Sequence, residues 1–254
     1  MTQLEIVTPV DVDATLDDLA ARYAQAGGVG IDVLNLIGAR ADSLIDRLPQ
    51  RVRDGLQDAT VKALNQAMKA AHSSRAVVPD QKSWLNTAVG TAMGAAGGAG
   101  GLPTALAELP VTTTLLLRII QGVAVEHGFD ANAQNVQFDC VQVFSAAGPL
   151  SQDDGADLGF VSARMALSGR AVQGIISKVA PRLATVLGQK LATQTIPVLG
   201  AVAGAATNYA YTSYYQDMAH VHFGLRKLAI DADLPVDDLV ERLRIRMPKR
   251  RSLI

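Results

Sequence analysis

Apolar positions recur at helical spacing along most of the chain, which predicts an all-α protein built as a multi-helix bundle. The segment 129–150 could be a strand or a buried helical turn by periodicity alone, and its helical neighbours favour a helix. The predicted helices fall within residues 1–26, 31–48, 52–71, 111–126, 129–150, 158–190 with an interruption at Pro181, 198–230 and 234–247.

Two long stretches without charged residues, Ser83 to Ala107 and Leu191 to Gln216, interrupt this amphipathic pattern. A bilayer crossing needs about 20 predominantly apolar residues, and these stretches are long enough but consist mainly of small residues. We predict two Gly/Ala-rich helical hairpins, cut by prolines, that pack closely through glycine faces at four-residue spacing. The predicted helix-packing glycines are Gly90, Gly94, Gly98, Gly200 and Gly204. These hairpins either contact lipid or form a tightly packed soluble core.

The segment from His72 to Lys82 is rich in Ser, Pro and charged residues, which is typical of a linker. It predicts an N-terminal amphipathic helical region over residues 1–79. The remainder, residues 80–254, is predicted to form a helical core that ends in a basic C-terminal helix.

Composition narrows the compartment and the partners. Cys140 is the single cysteine, so no internal disulfide can form and a reducing compartment, the cytoplasm, is favoured. The acidic N-terminus does not suit a secretory signal. A net charge of -1 with one short basic cluster argues against a nucleic-acid partner. His220 and His222 are two residues apart and point to different sides of a helix, so we predict no metal and no cofactor.

Four polar residues in or beside apolar segments are the candidate ligand site or internal polar network: Glu108, Arg118, Asn208 and His220. Buried charged groups are normally paired or functional, and a network that satisfies itself is the more ordinary interpretation. No nucleophile elbow, phosphate-binding loop or zinc-protease motif is present, so the catalytic residues are unknown and enzyme activity stays uncertain.

Tyrosines near the end of the second stretch and basic residues at the C-terminus are the candidate membrane-surface residues. Amphipathic rings favour the lipid headgroup boundary, and basic side chains favour anionic lipid. For the basic residues, complementing the dipole of the last helix is the competing and more ordinary role. The set is Tyr209, Tyr211, Tyr214, Tyr215, Arg242, Arg244, Arg246, Lys249, Arg250 and Arg251.

Two blocks of residues between about Trp84 and Leu228 resemble the EcsC family. The first contains the glycine-rich run from Gly94 to Pro103, followed by Glu108-Leu-Pro, Arg118-Ile-Ile-Gln and His127-Gly-Phe-Asp. The second contains Lys190-Leu-Ala, the run from Ile196 to Asn208, and Ala219-His220 with Phe223. The resemblance implies a bacterial cytoplasmic protein at the inner face of the cell membrane, because the family is named for a protein encoded beside ABC transporter components.

The expected function is therefore that of a membrane-associated accessory or lipid-interacting protein that supports transport or envelope physiology. Its expected partners are a membrane surface or lipid and a membrane transporter component. Two alternatives remain: an uncharacterised hydrolase-like enzyme that acts on a small or lipidic substrate at the polar cluster, and a soluble helical scaffold whose N-terminal helices bind a protein. The oligomeric state is not predicted.

Overall fold

The computed structural model describes residues 10–26, 28, 45–75, 109–144, 146, 169–193 and 200–247. These residues form α-helices and connecting turns, with no strand among them, so the all-α prediction is confirmed. The helices are α1 Val12–Gln25, α2 Gln50–Arg75, α3 Leu109–Glu126, α4 Gln134–Val143, α5 Gly169–Thr193, α6 Gly200–Asp231 and α7 Val236–Arg246. Of the helix predicted over 31–48, the described part Ile45–Arg47 is a 3-10 turn.

Helix α1 begins at an N-cap that its sequence encodes. The carboxylate of Asp11 accepts a hydrogen bond from the Ala14 N–H at 3.0 Å, which satisfies one of the free donors of the first turn. One face of the helix then carries Leu16, Leu19 and Tyr23, all buried. Helix α1 is therefore an integral element of the core.

Helix α2 is longer than predicted, because it continues through His72 to Arg75. The prediction that a linker begins at His72 is wrong for these four residues. Neither glycine nor proline occurs between the two positions, so nothing in the local sequence forces the helix to end there.

Helix α5 is continuous through Pro181, so the predicted interruption at this residue is also wrong. Proline removes one backbone donor and crowds the carbonyl four residues earlier, that of Ser177. Both residues are exposed, so the missing helical hydrogen bond lies at the surface of the helix and not in the core. The Thr185 hydroxyl also donates to the Pro181 carbonyl at 3.2 Å.

The turn after α3 ends at Gly128, whose φ of 82° lies in the left-handed region. A glycine adopts this conformation without the steric cost of a side chain, and the helix ends at Glu126, where the sequence predicted its end. The following segment forms α4, as predicted. Helix α4 buries Phe138 and Cys140, so the single thiol is packed inside the core.

The helices pack in two connected groups. Helix α1 lies against α6 and α7, and α2 lies against α5. Helix α4 contacts both α5 and α6, which are themselves neighbours, and so joins the groups. Both described helices of the predicted N-terminal region thus pack on helices of the predicted core.

Close helix approach occurs at two glycines outside the predicted set. A methyl group at Gly188 on α5 would lie 2.6 Å from Cδ2 of Leu56 on α2. One at Gly224 on α6 would lie 2.8 Å from Cδ2 of Leu19 on α1. Of the predicted packing glycines, Gly204 is buried within α6 and Gly200 is its first residue. Gly90, Gly94 and Gly98 lie outside the described residues.

Candidate functional site

A surface cleft of about 550 Å³ lies where α1 meets α6 and the end of α3. Its walls combine acidic, basic, imidazole and apolar side chains, a mixture suited to orienting a small polar molecule. The lining residues are Asp18, Leu19, Ala21, Arg22, Gln25, His127, Asp217 and His220.

Two histidines at one wall of the cleft are hydrogen-bonded to each other. Nε2 of His127 lies 3.1 Å from Nδ1 of His220, and the rings meet edge to face with centroids 5.3 Å apart. On its other side, Nε2 of His220 lies 3.7 Å from a carboxylate oxygen of Glu126. Glu126, His220 and His127 therefore form a chain that ends in the cleft.

The carboxylate of Glu126 selects the tautomer of this chain. A proton on Nε2 of His220 faces the carboxylate favourably, whereas a lone pair there would be repelled by it. Nδ1 of His220 then accepts the N–H of His127. By this assignment His127 keeps an unprotonated Nδ1, which is a hydrogen-bond acceptor.

Both imidazoles are held in the neutral form. Burial lowers the pKa of His220 to about 4, with the nearby charge of Arg22 acting in the same direction. Burial also lowers the pKa of His127, against the opposing effect of Glu126. The pair consequently supplies hydrogen-bonding atoms without positive charge at neutral pH.

Arg22, on α1, also lines the cleft. One of its guanidinium nitrogens lies 3.2 Å from a carboxylate oxygen of Asp217 on α6. Asp217 is one turn before His220 on the same helix, so one face of α6 presents both residues to α1. The ion pair joins the two helices at the cleft.

A second polar group lies deeper, between α4 and α6. Nε2 of His222 is 3.7 Å from a carboxylate oxygen of Asp139, and Arg226 forms an ion pair with the same carboxylate. The guanidinium of Arg226 also lies 4.8 Å from the ring centroid of Phe129, a cation–π contact. Burial lowers the pKa of His222 to about 4. The contacts of Asp139 with His222 and Arg226 join helices α4 and α6.

The described residues include three of the four members of the cluster predicted from the sequence. Glu108 lies outside them, and Arg118 is half-buried on α3. Asn208 is buried on α6, twelve residues before His220, which corresponds to about 18 Å along a helix. Of the four, only His220 lines the cleft.

The spacing of residues in the sequence indicates part of the lining of this cleft. Asp18 and Arg22 are separated by four residues and Asp217 and His220 by three, spacings that put each pair on one helix face. The sequence does not indicate that His127 and His220 meet, because they are 93 residues apart in the chain.

Lys190 is the buried lysine of α5, and it is 2% exposed. Its ammonium group donates to the hydroxyl of Thr112 on α3 at 3.2 Å. Gln121 on α3 and Gln189 on α5 are also buried polar side chains. Polar residues are thus built into the core as well as the cleft.

Most of the predicted membrane-surface tyrosines are buried. Tyr211, Tyr214 and Tyr215 are at most 3% exposed, whereas Tyr209 is 37% exposed. The Tyr211 hydroxyl donates to the Val186 carbonyl at 3.2 Å, and burial raises the pKa of Tyr211 and of Tyr215. A buried ring cannot contact a lipid surface, so this fold corrects the assignment for the three buried tyrosines.

The predicted basic residues within the described part of α7 lie at the surface and form ion pairs. Arg242 and Arg246 both pair with Asp13 of α1, and Arg246 also pairs with Asp17 at 3.0 Å. Arg244 pairs within α7 with Glu241 at 2.9 Å. Lys249, Arg250 and Arg251 lie outside the described residues.

Helix α3 is the one described helix that is long and apolar enough to cross a membrane. In the fold, 56% of this segment is buried, and the core helix of a globular protein has the same property. Within the described ranges, no group of three or more His, Cys, Asp or Glu side chains is arranged to hold a metal ion.

The architecture is that of an all-α protein with a polar cleft at a helix junction. A model of the EcsC protein family matches residues 37–228, which is most of the chain. The chain therefore belongs to the EcsC protein family, and the match begins well before the blocks that carried the resemblance. No curated protein and no solved structure matches the chain.

Proposed function

We propose that this EcsC-family protein is a peripheral membrane-associated accessory protein whose helix α7 contacts lipid. The observation that carries the proposal is Ile245, which is 76% exposed between Arg244 and Arg246. A large apolar side chain flanked by arginines is typical of helices that lie at a lipid interface, where the apolar group enters the headgroup boundary.

Electrostatic attraction supports the same assignment. Each basic residue near an anionic lipid surface contributes about 1 kcal/mol. Arg242 and Arg246 pair with α1 carboxylates that are 66% and 69% exposed, and ion pairs in contact with water are worth only about 0–1 kcal/mol. A lipid surface can therefore compete with Asp13 and Asp17 for these arginines.

A peripheral position fits the helices better than a spanning one. Helix α3 has the length to cross a membrane, but more than half of it is buried against the rest of the fold. We place the protein in the cytoplasm at the inner face of the cell membrane, with a membrane transporter component as its protein partner. The family resemblance supports both assignments.

Membrane fractionation tests the proposal. Membranes from cells expressing the full chain are washed with low salt, high salt, alkaline carbonate and detergent in parallel. We expect the protein to sediment with membranes, to resist the low-salt wash, and to be released by high salt or carbonate. Recovery of all of the protein as a soluble monomer without any extraction would contradict the proposal, as would release by detergent alone.

A further inference from the structure

The side chains of the cleft between α1 and α6 do not balance one another. The carboxylate of Asp18 is exposed at the rim and has no hydrogen bond or ion pair with any described residue. Nδ1 of His127 likewise has no partner within the described part of the chain. Arg22, which could donate, is already paired with Asp217. The cleft therefore presents two hydrogen-bond acceptors, on Asp18 and His127, that no described residue pairs with.

The charge of the cleft is also unbalanced. Asp18 and Asp217 carry two negative charges, Arg22 carries one positive charge, and both histidines are neutral at pH 7, so the lining has a net charge of about −1. Glu126, behind His220, adds further negative potential. A ligand that suits this cleft brings a positive charge and hydrogen-bond donors together.

We propose that the cleft binds a small molecule through a primary ammonium group, which donates hydrogen bonds to the carboxylate of Asp18 and to Nδ1 of His127. An ammonium group has three donors and no acceptor, so it can donate to both of these acceptors. The chain from Glu126 through His220 positions the His127 acceptor. Leu19 and Ala21 supply an apolar wall for the carbon part of the ligand.

The dimensions of the cleft set the size of this ligand. A volume of about 550 Å³ lies within the range of sites that hold small molecules. Primary ammonium groups occur in free small amines and in the headgroups of aminophospholipids. The inference concerns the ammonium chemistry that both share, and it does not rest on membrane association.

Histidine NMR on the full chain tests the inference with ethanolamine as the probe. Long-range proton–nitrogen spectra near neutral pH follow each imidazole during the titration. We expect saturable shifts of His127 and His220, while His222, buried between α4 and α6, stays unchanged. Choline lacks N–H donors and ethylene glycol lacks the charge, so neither should reproduce the shifts at matched ionic strength.

Single substitutions identify the contacts. Asp18→Asn and His127→Phe should each weaken the apparent affinity for ethanolamine by about tenfold or more, because the first removes the negative charge of one acceptor and the second removes the ring acceptor. Asp58→Asn removes an exposed carboxylate from α2 and should leave the affinity unchanged. Asp18 has no described partner, so its loss should not disturb the fold. An equal response to choline, or unchanged affinity in Asp18→Asn, would overturn the inference.

A second titration, with lipid vesicles, distinguishes the two sources of the ammonium group. Phosphatidylcholine vesicles with and without phosphatidylethanolamine replace the free amine. Shifts with free ethanolamine assign a soluble amine, and shifts only with phosphatidylethanolamine vesicles assign a lipid headgroup. Both results support the inference if Asp18→Asn abolishes them. The absence of shifts with either probe overturns it. These vesicles carry no net charge, so failure to bind them does not bear on the proposed contact of α7 with anionic lipid.

Discussion

The tyrosines of α6 and the arginines of α7 are both candidates for membrane contact, yet the fold treats them in opposite ways. Tyr211 and Tyr215 are buried in the core, with ring centroids of Phe144 and Tyr215 only 5.2 Å apart. Arg242 and Arg244 lie at the surface, 37% and 50% exposed. The proposed membrane contact therefore rests on the exposed residues of α7 and not on the buried tyrosines.

The two regions also differ in how their polar atoms are used. The Tyr211 hydroxyl is committed to a backbone carbonyl inside the core. The arginines are committed to carboxylates of a neighbouring helix in contact with water, where an ion pair is easily exchanged. Loss of a tyrosine should therefore affect folding, and loss of an arginine should affect mainly binding.

The largest expected effect is that of Tyr215→Ala. This side chain is 0% exposed, and truncation of a buried aromatic side chain costs about 3–5 kcal/mol. Urea unfolding measures the loss. Tyr209→Ala, at the exposed tyrosine of the same helix, is the matched control and should change stability by less than about 0.5 kcal/mol. Equal losses in the two variants would show that the burial difference is not real.

The next effect is a dependence of stability on pH that comes from the polar side of α6. Burial lowers the pKa values of His220 and His222 from 6.5 to about 4, so the unfolded chain binds more protons below pH 6.5. Stability should be unaffected by these groups above that pH and should fall between about pH 6.5 and 4, by up to about 3 kcal/mol for each histidine.

Urea unfolding across this pH range measures the slope, and His220→Asn should reduce it. The charged groups around His220 are Glu126, Arg22, Lys227 and Asp217. They are unaltered in the variant, so the difference between the two slopes reports the hydrogen-bonded pair of His220 and His127. A slope that is the same in both proteins would be evidence against a neutral His220.

The smallest effect on stability is expected at the contact between α1 and α7. Arg246→Ala removes ion pairs with Asp13 and Asp17 and should cost about 0.5–1 kcal/mol at low salt. Arg244→Ala removes a pair within α7 and should cost less, about 0.3 kcal/mol. Both losses should shrink in about 1 M salt, where exposed charges are screened. A loss above about 2 kcal/mol that is independent of salt would place Arg246 in the core instead.

Local spacing was sufficient to predict the helices, but not their partners. Tyr211, Tyr214, Tyr215 and Met218 follow the i, i+3, i+4, i+7 pattern of a core stripe, and all four are buried. The aromatic composition suggested a lipid boundary, whereas the spacing already favoured the core. Tyr209 lies outside this stripe and is the exposed one.

The cleft depends on contacts between distant parts of the chain. The histidine pair requires the end of α3 to meet α6, and Arg22 requires α1 to lie across the same helix. No local pattern specifies these meetings. At Gly224, Leu19 occupies the space that a side chain on α6 would need. The four-residue spacing of glycines does not predict this contact either.

Vesicle flotation of the full chain tests the central claim, which is peripheral binding through α7, most directly. We expect the protein to float with vesicles that contain anionic lipid, to bind neutral vesicles much less, and to dissociate in high salt. Ile245→Asp should reduce flotation, whereas Ile230→Asp, at an isoleucine on α6 that is 62% exposed, should not. Failure to float with anionic vesicles, or equal loss of flotation in both variants, would contradict the claim.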